Sequence, residues 1–241
     1  MRPVRAQIRE QGYAILEGLL DREETAALRA EIEALIAELD PPGFFAASTV
    51  QVSETVAVTS TGLAISRLLD ARPALAPRVL EPRLIDAMRE TLGPDVRLEL
   101  AGAVASDRRR PFFSWHTHID GEEEGQRVQR GEWPARPRTE RVLTLLYLDD
   151  LDDETGPLYV HPRREGEPTA PPHPLDEEVW PGMIELRPRA GDLVALEQCT
   201  WHAARSLRRP GLRLLVGCYF AAAGAPEPPW LDRSLAGRIS P

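Results

Sequence analysis

The sequence contains no lysine and no asparagine, so all 29 of its basic residues are arginine. Both missing residues have A-rich codons, which points to a GC-rich, bacterial genome and says nothing about chemistry. Cysteine is scarce: Cys199 and Cys218 are the only two in 241 residues. That excludes a disulfide framework, and both read as small buried hydrophobes in a reducing compartment. No apolar run approaches the ~20 residues that span a bilayer, so no membrane association is expected. Residues 1–10 carry positive charge with no apolar stretch behind them, which is not the pattern of a secretory signal; the expected location is cytoplasmic. Positive charge is in deficit, with 29 Lys and Arg against 38 Asp and Glu and a net charge of −9. Without a basic stripe, nucleic acid is excluded as an expected partner. The 17 glycines and 23 prolines fall short of a low-complexity composition. At 42% hydrophobic residues the chain can bury a core, and it reads as one domain over residues 1–241.

The helical signals come early. Asp21 followed by Glu24 has the form of a helix N-cap with a capping box. Leu28, Ile32, Leu35, Ile36 and Leu39 then recur at helical spacing until Pro41-Pro42-Gly43. Further helices are predicted over 63–69 and 83–92. From Asp95 the period changes to two, with Val96, Leu98 and Leu100 alternating with Arg97 and Glu99. Strands are also predicted over 112–120, 141–148, 158–161, 183–187, 192–197 and 212–220. Two long connections, 121–140 and 162–181, have the length of lids or disordered loops. The organisation is that of helices packed against a β-sandwich or barrel.

Of the five histidines, His116, His118 and His202 carry the chemical signal. In Ser114-Trp115-His116-Thr117-His118-Ile119-Asp120, positions 116, 118 and 120 share one face of an extended strand, so two imidazoles and a carboxylate converge. His202 stands at the end of a further strand, after Gly191-Asp192-Leu193 and Trp201. Arg213 follows eleven residues later inside an apolar run. A guanidinium in such a run either faces solvent or requires a carboxylate, internal or brought by a ligand. Two histidines and one carboxylate on one face of a metal are the arrangement of non-haem Fe(II) oxygenases, which keep positions open for other ligands. Zinc hydrolases also use three protein ligands, so the ligand set alone leaves the metal open. Arg213 favours iron with 2-oxoglutarate, whose far carboxylate needs a cation.

With these residues in place, the chain resembles the phytanoyl-CoA dioxygenase-like family of Fe(II)/2-oxoglutarate oxygenases over most of its length. The resemblance is carried by Gly12-Tyr13-Ala14-Ile15-Leu16-Glu17-Gly18-Leu19-Leu20, by Leu148-Asp149-Asp150 with Thr155-Gly156-Pro157-Leu158, and by Gly191-Asp192-Leu193 with His202 and Arg213. It implies a mainly β, double-stranded β-helix (jelly-roll, cupin-like) core with N-terminal helices packed on it. It also implies iron held by His118, Asp120 and His202, 2-oxoglutarate held by Arg213, and an enzyme that uses O2 to hydroxylate a small organic molecule. The family often reads Trp-His-x-Asp, whereas here His118 stands two residues after His116. That register would put His116 on the metal and a histidine in the carboxylate's place. Keeping the carboxylate selects His118 and Asp120 and leaves His116 beside the metal. Ala204 stands where some relatives have a hydroxyl near the cosubstrate.

Several other residues have two readings. Arg108-Arg109-Arg110 reads as a solvated turn, with reception of an anionic substrate as the alternative. His161 and His173 read as loop residues, and Trp133 as either a lid or loop packing. The rival functions are a cupin-like metalloenzyme that does not use 2-oxoglutarate and a ligand-binding barrel without turnover.

Overall fold

The structure is a computed structural model that describes residues 2–119 and 130–235. Its helices are α1 (Val4–Gln11), α2 (Arg22–Leu39), α3 (Leu68–Ala71), α4 (Ala76–Val79) and α5 (Pro82–Leu92). Its strands are β1 (Tyr13–Leu16), β2 (Val50–Ser53), β3 (Val56–Val58), β4 (Leu63–Ile65), β5 (Arg97–Ser106), β6 (Phe113–His116), β7 (Arg141–Tyr147), β8 (Leu158–Val160), β9 (Ile184–Leu186), β10 (Leu193–Glu197), β11 (His202–Ala204) and β12 (Arg213–Ala221). They form two antiparallel sheets: an eight-stranded sheet ordered β1-β10-β7-β12-β5-β4-β3-β2 and a four-stranded sheet ordered β6-β11-β8-β9. From β5 onward the chain passes repeatedly between the sheets, as in a jelly roll.

Period-two alternation sorts the large sheet's side chains into two cores. Leu214, Val216, Cys218 and Phe220 of β12, and Ala101, Ala103 and Ala105 of β5, pack in one core with Leu28, Ile32, Leu84 and Met88 of the helices. The other face of β12 and β7 turns toward the small sheet, where Leu143, Tyr147, Leu158 and Val160 cluster with Leu145, Leu215 and Tyr219. Arg213, Leu215, Gly217 and Tyr219 therefore share the interior face. The glycines Gly217 and Gly102 stand directly opposite each other across β12 and β5, and both line the cavity between the sheets.

The capping box of α2 forms as predicted: Glu24 N–H donates to Asp21 Oδ1 at 2.8 Å, and Asp21 N–H donates to Glu24 Oε2 at 3.0 Å. The helix predicted over 63–69 is not one element. Leu63–Ile65 pairs with Ala103–Ala105 as strand β4, and the short α3 begins only at Leu68. Three apolar residues carry too little periodicity to separate strand from helix. The predicted strand 112–120 is shorter, ending at His116. Both cysteines are buried thiols. Among the described residues, no helix is long and apolar enough to cross a membrane.

Candidate metal centre

His116 is the last residue of β6 and His202 the first of β11; the two are paired across the strands. His118 lies just past β6, where its backbone N–H donates to Gln198 O at 2.9 Å. It therefore arrives by a turn of the chain and not by strand alternation. Candidate ligand atoms of His116, His118 and His202 lie within 4.8 Å of one another, and this is the group of metal-ligating type found among the described residues.

Each ring has its Nδ1 engaged. His116 Nδ1 lies 2.9 Å from Ser114 O, His202 Nδ1 3.0 Å from Thr200 O, and His118 Nδ1 3.1 Å from the Tyr219 hydroxyl. With Nδ1–H donating to these oxygens, each Nε2 is left with a free lone pair, the tautomer found in metal-bound imidazoles. Burial favours the neutral form of all three. It lowers His116 well below the ordinary value, with His202 and His118 as neighbouring charges adding to the effect. It lowers His118 to about 3, reinforced by His202, and His202 to about 4. Three neutral imidazoles around one point fit a divalent metal.

Two of the three ligands read from the sequence, His118 and His202, are thus brought together. Asp120, the third, lies outside the described residues. His116, which the sequence reading set beside the metal, joins the same cluster. Trp-His-x-His carried that signal, in the register that places a histidine where the family's carboxylate usually stands.

The histidines open onto a cavity of about 300 Å³ between the sheets, and Arg213 lines the same cavity. Arg213 is buried, with 5% of its surface exposed, so of its two sequence readings the structure selects the interior one. Its Nη1 donates to Thr155 O, Gly156 O and Arg205 O, each at 2.9 Å. These carbonyls fix the side chain without neutralising it. Tyr147 and Tyr219, which the sequence reading did not single out, line the cavity as well. Tyr219 is found by stepping two residues at a time along β12 from Arg213. Burial pushes the Tyr147 hydroxyl up to about 12, against the opposing pull of Arg213 and Arg110. Arg108 and Arg109 are exposed as a turn should be, but Arg110 is buried. The solvated-turn reading fails for that residue because the chain turns inward into β6. Trp133 packs against Trp201, with ring centroids 5.7 Å apart. His161 and His173 lie outside the metal cluster, beside Trp180.

A jelly roll with clustered imidazoles and a buried arginine facing one cavity is a metal-binding oxygenase barrel in architecture. The chain belongs to the phytanoyl-CoA dioxygenase (PhyH) family, whose model matches residues 8–214, a span that holds the three histidines and Arg213. Solved structures of the same fold include the non-haem α-ketoglutarate-dependent carbocyclase SnoK from nogalamycin biosynthesis, 20% identical with a TM-score of 0.67, over 99% of this chain and 90% of that one. Another is EctD from S. alaskensis with 2-oxoglutarate and 5-hydroxyectoine, 19% identical with a TM-score of 0.68, over 95% of this chain and 79% of that one. A third is HygX from Streptomyces hygroscopicus with nickel and 2-oxoglutarate bound, 19% identical with a TM-score of 0.63, over 92% of this chain and 88% of that one. No curated protein matches the chain in sequence.

Proposed function

We propose that the protein is an Fe(II)/2-oxoglutarate-dependent oxygenase that hydroxylates a small organic molecule, with the metal held by His116, His118 and His202 and the far carboxylate of 2-oxoglutarate held by Arg213. The observation that carries this reading is the cluster of three imidazoles, each with Nδ1 engaged, facing the same cavity as a buried arginine that forms no ion pair among the described residues. Membership of the PhyH family supports it. Iron bound there would supply the oxygen chemistry, coupling decarboxylation of 2-oxoglutarate to oxidation of the substrate.

The chain's own residues do the positioning. Ser114 O, Thr200 O and the Tyr219 hydroxyl orient the three rings. The carbonyls of Thr155, Gly156 and Arg205 hold the Arg213 guanidinium by one nitrogen, which leaves the others for a two-pronged grip on a carboxylate. Leu143, Leu145, Leu158 and Leu215 keep the cavity wall apolar, so the carboxylate's partner is the arginine and not water.

The test is iron content and anaerobic titration with 2-oxoglutarate, read by the visible charge-transfer band that appears when the cosubstrate chelates Fe(II). Wild type is expected to bind one iron and show the band. His116→Ala, His118→Ala and His202→Ala are each expected to lose iron. Asp120→Ala is the companion variant: if it loses iron together with His118→Ala and His202→Ala while His116→Ala keeps it, the ligand set is His118, Asp120 and His202. Iron binding without the band would overturn 2-oxoglutarate dependence.

A further inference from the structure

Four arginines are buried among the described residues: Arg110, Arg141, Arg163 and Arg213. Two of them are neutralised inside the protein. Arg141 Nε donates to Glu99 Oε2 at 2.6 Å, and Arg163 Nη1 to Glu197 Oε2 at 3.2 Å, with both carboxylates buried. The other two, Arg110 and Arg213, have no carboxylate within ion-pair distance among the described residues, and both line the same cavity.

Arg110 is the more exposed case chemically, although 3% of its surface is accessible. Its Nε and Nη2 are buried and have no hydrogen-bond partner. The contact its guanidinium does make is with the Phe113 ring, 5.5 Å from the centroid. Only its backbone is tied, through N–H to Asp107 O at 3.2 Å. A buried guanidinium with orphaned donors is costly unless a ligand completes it. No Asp or Glu lines the cavity among the described residues. The burial and the nearby Arg213 charge act together to lower Arg110 to about 9, against the opposing effect of Tyr147.

Charge counting separates the two arginines. On the reading above, one carboxylate of 2-oxoglutarate goes to the metal and the other to Arg213, whose side chain three carbonyls already hold in place. Both carboxylates of the cosubstrate then have a cationic partner, and Arg110 is a further cation beyond those two. The cavity it lines has a largely apolar wall that includes Ile65, Leu100, Val104, Phe113 and Leu145. We propose that Arg110 binds the anionic group of the primary substrate, and that this substrate is a small carboxylic acid with an apolar body. The inference rests on the oxygenase reading and narrows it to a class of substrate.

The test uses the protein loaded anaerobically with Fe(II) and 2-oxoglutarate, titrated by calorimetry with hexanoate and with its neutral isostere hexanamide. Hexanoate is expected to bind about tenfold or more tightly than hexanamide, the scale of a charge-assisted pair. Arg110→Met is expected to erase the preference and Arg110→Lys to keep part of it. In both variants the charge-transfer titration should give a 2-oxoglutarate affinity within about threefold of wild type. Thermal melting of the metal-free protein guards against a folding artefact: removing an unpaired buried cation should leave the midpoint unchanged or raise it. Equal binding of hexanoate and hexanamide by wild type would overturn the proposal. So would a lowered midpoint in Arg110→Met, which would reveal an internal partner. If Arg110→Met loses 2-oxoglutarate as Arg213→Met does, Arg110 serves the cosubstrate; the substrate class is then wrong and the oxygenase reading survives. Absence of the charge-transfer band in wild type is the separate failure, that of the oxygenase reading itself.

Discussion

At the scale of single residues, the cavity contains two cations without an ion-pair partner among the described residues, and Arg213 is the one with a prepared mount. Its Nη1 is saturated by three carbonyls, so truncating the side chain removes a charge whose position is fixed before any ligand arrives. Losing one partner of a buried ion pair costs about 3–5 kcal/mol, and each ~1.4 kcal/mol is a factor of ten. Arg213→Met should therefore weaken 2-oxoglutarate by roughly two to three and a half orders of magnitude while iron content stays near wild type. Arg213→Lys should recover part of the loss, because it keeps the charge without the planar fork. Titration of both iron-loaded variants decides the matter, and wild-type affinity in Arg213→Met would remove the arginine from the cosubstrate site. Residue identity made Arg213 and His202 legible in the sequence, since a cation in an apolar run and a histidine at a strand end are each out of place. Arg110 was hidden by its neighbours: three successive arginines look alike in sequence, and only the inward path of the chain separates the buried one from the two in water.

At the scale of elements, the mount for Arg213 is made where two connections meet. Gly156 follows β7 and precedes β8, with φ +81°. A methyl added to it would lie 2.5 Å from Arg205 O and 2.8 Å from Ser206 O, in the connection between β11 and β12. These two loops touch backbone to backbone, and they supply all three carbonyls that hold the guanidinium. Gly156→Ala should cost roughly 1–3 kcal/mol of stability, from the left-handed backbone and the clash together. It should also weaken 2-oxoglutarate, although the substituted residue carries no charge. A melting curve and a cosubstrate titration test this, and unchanged affinity in a destabilised variant would uncouple the loops from the arginine. β5 was legible from its sustained alternation, and β7, β10 and β12 from apolar runs of strand length bounded by turn residues. The strands β2 and β3 and the helix α1 were not. β2 and β3 span four and three residues, and α1 has no side-chain cap, so each is held by its neighbours and not by a local signal. His118 shows the same limit at the site, because its position depends on a hydrogen bond to Gln198, eighty residues away in sequence.

At the scale of the whole molecule, the metal-free protein carries neutral imidazoles in a desolvated centre, and this sets how it responds to acid. An unfolded histidine titrates near 6.5, whereas His118 and His202 titrate at about 3 and about 4 in the folded state. Their contribution is fully present above pH 6.5 and is lost as pH falls toward those values, because the unfolded chain takes up protons first. Each can remove at most about 1.4 kcal/mol per pH unit over that window. Urea unfolding of the metal-free protein at pH 7, 6 and 5 should show the decline, and His202→Gln should reduce its slope; a flat profile would place these rings in contact with water. The opposed glycines Gly102 and Gly217 act on the molecule in another way. A methyl built on Gly217 meets nothing nearer than 3.7 Å, so the site tolerates one added carbon without strain. A methyl on Gly102 would instead meet Ile65 O of the adjacent strand at 2.8 Å, so the floor of the cavity can be raised by one carbon at Gly217 and not at Gly102. Gly217→Ala would shorten the longest substrate that fits by about one methylene, worth about 0.8 kcal/mol in burial, and so turns backbone composition into a measure of chain length.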